Sequence, residues 1–181
     1  MQIRDLTKMS MCVAFCCVAA YISFPLPFTP GMVTALTFAL SLTAYILPSK
    51  RTFTVILIYI LLGAVGLPVL GGGQSLNRLI GPSGGFYFAW LVGYPLLSLA
   101  KGKNPNLKRY FAANLLTAIP ITYAGGVVSM ILLLDVNIFE ALTMAVFPFI
   151  PGDILKALAA ASLGIKLQKI LGERNLTNKP L

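Results

Sequence analysis

The sequence predicts an all-α integral membrane protein folded as one bundle of six transmembrane helices. Three observations lead to this fold class: the apolar composition, six apolar runs, and basic residues gathered between alternate runs. Of the residues, 57% are hydrophobic and only 10% are charged. A soluble domain needs a far more polar surface. With 181 residues, we expect a single membrane domain over residues 1–181 and no second domain.

Six apolar runs are the candidate transmembrane helices. They cover residues 7–24, 32–47, 52–67, 86–100, 110–134 and 154–171. A spanning helix needs about 20 apolar residues, so we expect loops to cover the ends of the shorter runs. The fifth run contains Pro120 and the pair Gly125-Gly126, which predict a kink. Residues 138–147 are too short to span and predict an interfacial helix or a packed loop.

The basic residues indicate how the chain is oriented. The formal charge is +9, from 14 Lys and Arg against 5 Asp and Glu. All the cations except Arg78 and Lys156 fall on one side of the predicted membrane. The positive-inside rule therefore predicts a multi-pass protein of the cell membrane with both termini in the cytoplasm. The basic surplus is explained by topology and is no evidence for a nucleic-acid partner.

The first run carries a stripe of small residues. Cys12, Cys16 and Ala20 recur at every fourth position, and Ala19 lies beside them. Small residues let helices approach closely in lipid. The stripe has two interpretations that stay open here: packing inside the bundle, or a ridge that docks another membrane subunit.

Three outward-facing connections contain the candidate chemistry. Residues 24–31 are rich in Pro and uncharged, residues 66–85 are rich in Gly, and a third connection leads from Asp135 to Asp153. The Gly-rich loop is long for a compact bundle, and such loops are usually functional or disordered. Because it mixes Gly with apolar residues, we predict that it folds over a small-molecule pocket as a lid.

Asp153 and Lys156 are the first candidate pair. Asp153 follows Pro151-Gly152 at the start of a predicted helix, where an N-cap role is one interpretation. Lys156, one turn later, could pair with it. Both lie near membrane depth, where an ionisable residue suggests function. The two interpretations are compatible if a ligand completes the pair.

The Gly-rich loop and the helix after it supply further candidates. Asn77 offers a donor and an acceptor together, and Arg78 can attract an anion. Tyr87 can form an apolar wall with a polar tip. Trp90 is well placed for the aromatic belt at the membrane surface.

Several classes of enzyme are excluded. "GGGQSLNR" lacks the Lys-Ser/Thr ending of an ATP-binding loop. "GPSG" has the form seen in rhomboid proteases, but the chain has no His to activate the serine. "PGD" lacks a nearby second carboxylate for aspartyl proteolysis. A zinc site is excluded by the lack of His and of outer Cys, so we expect neither an enzyme nor a cofactor.

Two long motifs resemble those of a known family. Residues 59–96, "YILLGAVGLPVLGGGQSLNRLIGPSGGFYFAWLVGYPL", and residues 147–164, "FPFIPGDILKALAAASLG", resemble the two signatures of the BioY family. Its members are the biotin-specific substrate-binding (S) components of energy-coupling factor (ECF) vitamin transporters. The chain departs from the family in "TPGMVTAL", which lacks the usual Gln, and in having Cys on the first-helix ridge where Ala is usual.

The resemblance implies a six-helix S-component bundle that captures biotin from outside. It implies partners as well: a transmembrane coupling subunit and two ATPases that supply the energy. The ridge facing the coupling subunit would comprise Cys12, Cys16, Ala19 and Ala20. The substrate-binding candidates are Asp153, Lys156, Asn77, Arg78, Tyr87, Gly73 and Gly85.

The resemblance also suggests what the charged pair does. Asp153 can accept from the ureido N–H groups of biotin, while Lys156 can pair with its carboxylate or donate to its ureido oxygen. The alternative function is a self-sufficient secondary carrier of a small organic anion, with Asp153 as its titrating group. Such carriers normally show paired halves, and no convincing repeat relates the halves of this chain. A structural subunit without a ligand is a third possibility.

Overall fold

The computed structural model of the chain describes residues 3–27, 29–70, 75–102 and 104–177. These residues form nine helices and two short strands. In chain order they are α1 (Ile3–Tyr21), β1 (Ser23–Pro25), β2 (Met32–Thr34), α2 (Leu36–Ile46), α3 (Ser49–Ala64), α4 (Ser75–Ile80), α5 (Gly84–Ala100), α6 (Leu107–Leu116), α7 (Ala118–Leu134), α8 (Ile138–Ala145) and α9 (Ile150–Thr177).

Each predicted apolar run is helical over most of its length. The fifth run is divided between α6 and α7, and the segment too short to span is α8. Among the described residues, only Leu107–Leu134 is by itself long and apolar enough to cross a bilayer; α8 and α9, bent by 46°, would add a second span if taken together. The helical class is therefore observed, and the count of six spans stays a prediction.

The interruption of the fifth run differs from the prediction. The helix breaks at Thr117, three residues before Pro120. It then continues unbroken through Gly125 and Gly126. A Cβ atom at Gly126 would collide with the ring of Phe86 on α5, and one at Gly125 would collide with α5 itself. These glycines therefore let α5 and α7 pack closely, as small residues do between membrane helices.

Lys101 caps the carboxyl end of α2. Its Nζ donates to the carbonyl oxygens of Ala44, Tyr45 and Leu47 at 2.6, 2.7 and 2.8 Å. The last carbonyl groups of a helix have no partner within the helix, and a basic side chain also suits the negative end of the helix dipole. Lys101 is only 8% exposed, so it stabilises this end of the bundle from within.

The small stripe of α1 lies inside the chain. All four of its residues are buried: Cys12, Cys16, Ala19 and Ala20. Cys16 Sγ lies 3.8 Å from Thr43 Oγ1 of α2. The stripe therefore packs within the bundle, and the ridge predicted for docking is covered by the chain itself.

The face of α1 that adjoins the stripe is left uncovered. Met11 is 68% exposed, Phe15 42% and Val18 64%. Both faces of α1 are apolar, but only the face with small side chains lets α2 and α3 pack closely against it. The face with larger side chains therefore stays exposed. A sequence pattern of small residues does not distinguish the two kinds of close packing.

Candidate ligand site

A cavity lies between the helices at the end of the bundle where α9 begins. The β1–β2 hairpin, α2, α4, α5, α7 and α9 all contribute to its lining, and its volume is about 70 Å³. The hairpin pairs antiparallel, with Phe24 opposite Val33. The sequence did not predict its two strands, because a three-residue strand beside Pro residues has the composition of a loop. The hairpin brings Met32 and Thr34 to the cavity.

The predicted ion pair is present in the cavity wall. Lys156 Nζ lies 2.7 Å from Asp153 Oδ1, and it also donates to the backbone oxygen of Thr34 at 3.1 Å. Asp153 is only 7% exposed. A buried charge of this kind is tolerated only when it is paired and hydrogen-bonded.

Two further hydroxyl groups hold the carboxylate of Asp153. Tyr123 OH of α7 donates to Oδ2 at 2.9 Å, and Thr37 Oγ1 of α2 donates to Oδ1 at 3.3 Å. Asp153 is the fourth residue of α9, and its carboxylate is bonded to side chains from other helices in addition to Lys156. The N-cap interpretation is therefore wrong, whereas the predicted pairing with Lys156 is confirmed.

The hydrogen-bonding capacity of this carboxylate is almost used up. A carboxylate offers about four lone-pair sites. Oδ1 accepts from Lys156 and Thr37, and Oδ2 accepts from Tyr123. One site, on Oδ2, is left for a ligand.

Aromatic side chains form another part of the wall. The Tyr87 and Trp90 rings meet edge to face with centroids 4.7 Å apart. Tyr87 OH donates to the Leu70 carbonyl at 2.9 Å, so Tyr87 presents an apolar wall with a polar tip, as the sequence predicts. Trp90 is 6% exposed and lines the cavity. The aromatic-belt interpretation of Trp90 is therefore wrong, because this face of α5 points into the bundle.

The candidates of the Gly-rich loop that the structure describes lie in different places. Arg78, on α4, is half-buried, lines the cavity and interacts with the Tyr87 hydroxyl. Asn77 is exposed and lies outside the described lining. A Cβ at Gly85 would collide with the Gly125 oxygen, so that glycine serves packing between α5 and α7. Gly73 lies outside the described residues.

Besides the bond that it accepts from Lys156, two further side-chain hydrogen bonds join the hairpin segment to its neighbours. Thr29 Oγ1 donates to the Met144 carbonyl of α8 at 2.7 Å. Ser83 Oγ, before α5, donates to the Pro30 carbonyl at 3.0 Å. The cavity is therefore covered in part by the Pro-rich segment, whereas the sequence predicts a lid only in the Gly-rich loop.

Sequence reasoning missed several polar residues of the site. Thr37 and Tyr123 hold Asp153, and Thr122 also lines the cavity. Each lies within an apolar run, where a single hydroxyl has no motif to identify it. One signal was available: Thr37 and Ser41 are polar residues four apart in α2, which places them on one face of a membrane helix.

Comparison with known proteins gives concordant results. The sequence profile of the BioY family matches residues 1–173. "Biotin transporter BioY" of Thermotoga maritima is 33% identical over 94% of this chain and 99% of its own length. "Biotin transporter BioY2" of Lactococcus lactis subsp. cremoris is 31% identical over 96% of this chain and 95% of its own length. The crystal structure of the S-component for biotin from an ECF-type ABC transporter has the same fold, with a TM-score of 0.84, 23% identity and 92% coverage of both chains.

Proposed function

Because the chain belongs to the BioY family, we propose that it takes up biotin as the substrate-binding S component of an ECF-type transporter. The observation that supports this most directly is a single cavity shared by Asp153, Lys156, Arg78 and an aromatic wall. A small-molecule site typically combines an apolar lining with a few convergent polar groups.

The charges of the cavity fit the two ends of biotin. The free lone-pair site of Asp153 Oδ2 accepts one ureido N–H. Lys156 uses two of its three N–H groups, on Asp153 and on Thr34, so one is left for the ligand. Arg78 binds the carboxylate, since it is the other outer cation in the lining. Bonds from a cation to a carboxylate are among the stronger hydrogen bonds.

Capture requires the cavity to widen. Pockets for ligands of this size have volumes of roughly 300–1,000 Å³, whereas this cavity has about 70 Å³. The hairpin is the element we expect to move, because in the described part of the chain three side-chain hydrogen bonds, those of Thr29, Ser83 and Lys156, fasten it to elements distant in sequence. Breaking these three bonds frees one wall of the cavity, while the ion pair of Lys156 with Asp153 stays in place on α9.

The chain is a membrane protein, and we place both termini in the cytoplasm on the positive-inside rule. Its partners in this proposal are a membrane coupling subunit and two ATPases, which hydrolyse ATP on its behalf. Since the small stripe is buried, the coupling subunit would meet the exposed face of α1 around Met11, Phe15 and Val18.

The test is uptake of labelled biotin by biotin-requiring cells that express the chain with or without the coupling subunit and ATPases. We expect uptake at low biotin that needs the partners and is lost in the Asp153→Asn, Lys156→Met double variant. Partner-independent uptake that collapses with the proton gradient would instead support the self-sufficient carrier. Absence of uptake under both conditions, with the protein present in the membrane, would contradict the proposal.

A further inference from the structure

Two buried polar groups of the cavity wall have no hydrogen-bond partner. They are the indole Nε1 of Trp90 on α5 and the hydroxyl Oγ1 of Thr122 on α7. Trp90 is 6% exposed and Thr122 is 5% exposed. Within the described part of the chain, one other buried side-chain atom is in this state, the hydroxyl of Tyr110, which lies outside the cavity lining.

Such groups are unfavourable unless something pairs with them. A buried donor or acceptor without a partner carries its full desolvation penalty, and most buried side-chain polar atoms in proteins are paired. A hydroxyl in a helix usually has the option of bonding to the carbonyl four residues earlier. Thr122 does not take that option, although other hydroxyls of this chain do, such as Ser41 and Thr43.

The charged pair alone does not offer enough hydrogen-bond partners for a cyclic urea. A cyclic urea presents two N–H donors and one carbonyl acceptor. Asp153 has one lone-pair site free, because Lys156, Thr37 and Tyr123 occupy the others. Asp153 can therefore receive one urea N–H, and the N–H that Lys156 has left can serve one lone pair of the carbonyl. The second urea N–H and the other lone pair of the carbonyl need other partners.

We infer that Trp90 and Thr122 complete the recognition of the cyclic urea of the ligand. Trp90 Nε1–H can only donate, so it donates to the urea carbonyl. Thr122 Oγ1 accepts the second urea N–H. This inference rests on the proposed function and deepens it, because it assigns the selectivity for a urea ring to two residues outside the charged pair.

The experiment measures the affinities of the purified chain in detergent for biotin and for the analogue in which sulfur replaces the urea oxygen. Sulfur is the weaker hydrogen-bond acceptor, so the wild-type chain should bind biotin more tightly than the analogue. Trp90→Phe should weaken biotin binding roughly two- to tenfold and bring the two affinities closer together. A Trp90 that only packs would lower both affinities by the same factor.

The hydroxyl of Thr122 is tested with a pair of variants. Thr122→Val removes the hydroxyl at constant shape and should weaken biotin binding roughly two- to tenfold. Thr122→Ser keeps the hydroxyl and should restore wild-type affinity. Tyr110→Phe is the matched control: it deletes an equally unpartnered hydroxyl outside the cavity and should leave binding unchanged.

The outcomes separate this inference from the proposed function. Wild-type binding of biotin together with undiminished binding by Thr122→Val and Trp90→Phe would overturn the inference and leave the proposed function standing. A wild-type chain that is folded and does not bind biotin would remove both. If Trp90→Phe fails to fold, Thr122→Val and Thr122→Ser still test whether the wall binds the urea ring. Neither substitution changes the volume of the wall by more than a methyl group.

Discussion

The ion pair between Lys156 and Asp153 predicts an asymmetric double-mutant cycle. Lys156→Met leaves the carboxylate of Asp153, which is 7% exposed, without its cation at 2.7 Å. Breaking a buried pair from one side costs about 3–5 kcal/mol; the donors Thr37 and Tyr123 stay in place, so we expect the lower end, about 3 kcal/mol. Asp153→Asn should cost about 1–2 kcal/mol, because Lys156 keeps its bond to the Thr34 carbonyl.

The double variant separates stability from binding. Asp153→Asn with Lys156→Met has no unpaired charge and should lose about 1 kcal/mol at most, since a neutral replacement of a buried pair is often tolerated. The coupling energy of the cycle is then about 3–4 kcal/mol. Equilibrium unfolding without biotin, in one detergent, measures all four proteins. Additive effects, or a Lys156→Met protein as stable as the wild type, would refute the description of Asp153 and Lys156 as a buried charged pair.

Three other predictions concern the packing of the bundle. Lys101→Met should destabilise the protein by about 1–3 kcal/mol, because it removes three buried hydrogen bonds and leaves the Ala44 carbonyl without a side-chain donor. The Tyr45 and Leu47 carbonyls keep their bonds from Gln168 and Ser98. Chemical denaturation measures the loss, and no change would exclude the capping role. Gly126→Val should lower the thermal unfolding midpoint or prevent folding, since any Cβ there meets the ring of Phe86; a normal midpoint would show that α5 and α7 can move apart at little cost. Cys16→Leu, at a position with 0% exposure, should lower the free energy of unfolding by about 1–3 kcal/mol. Val18→Leu, at 64% exposure, should change it by less than about 0.5 kcal/mol. A larger loss from Val18→Leu than from Cys16→Leu would place the small stripe on the outside of the bundle.

The helical framework could be predicted because it depends on a strong and simple signal. Long apolar runs separated by basic or Gly- and Pro-rich segments locate helices without any knowledge of their contacts. The ion pair of Asp153 and Lys156 was predictable for a similar reason, since residues three apart on a helix lie on the same face. These features are local in sequence.

The features that could not be predicted depend on contacts between distant segments. From the sequence, Gly125 and Gly126 predict a kink in the helix. In the structure they let α5 pack closely against α7, and this contact cannot be read from the sequence. Trp90 near a helix start is typical of the aromatic belt, and its burial depends on which face of α5 turns inward. Thr37 and Tyr123 come from helices far apart in sequence, and a lone hydroxyl in an apolar run carries no motif.

The small stripe of α1 illustrates the same limit. Small residues at helical spacing indicate close packing without naming the partner. In this chain the partners are α2 and α3 of the same bundle: Cys16 contacts Thr43 of α2, and Cys12 belongs to a buried cluster with Val55 of α3. Two interpretations that look identical in sequence therefore have opposite consequences for where a second subunit docks.

Whether the chain binds biotin by itself is measured by a calorimetric titration of biotin into the chain alone, purified in detergent from biotin-starved cells. We expect saturable binding near one biotin per chain, lost in the folded Asp153→Asn, Lys156→Met double variant. Folded wild-type protein that takes up no biotin, or a double variant that binds as tightly as the wild type, would contradict this expectation.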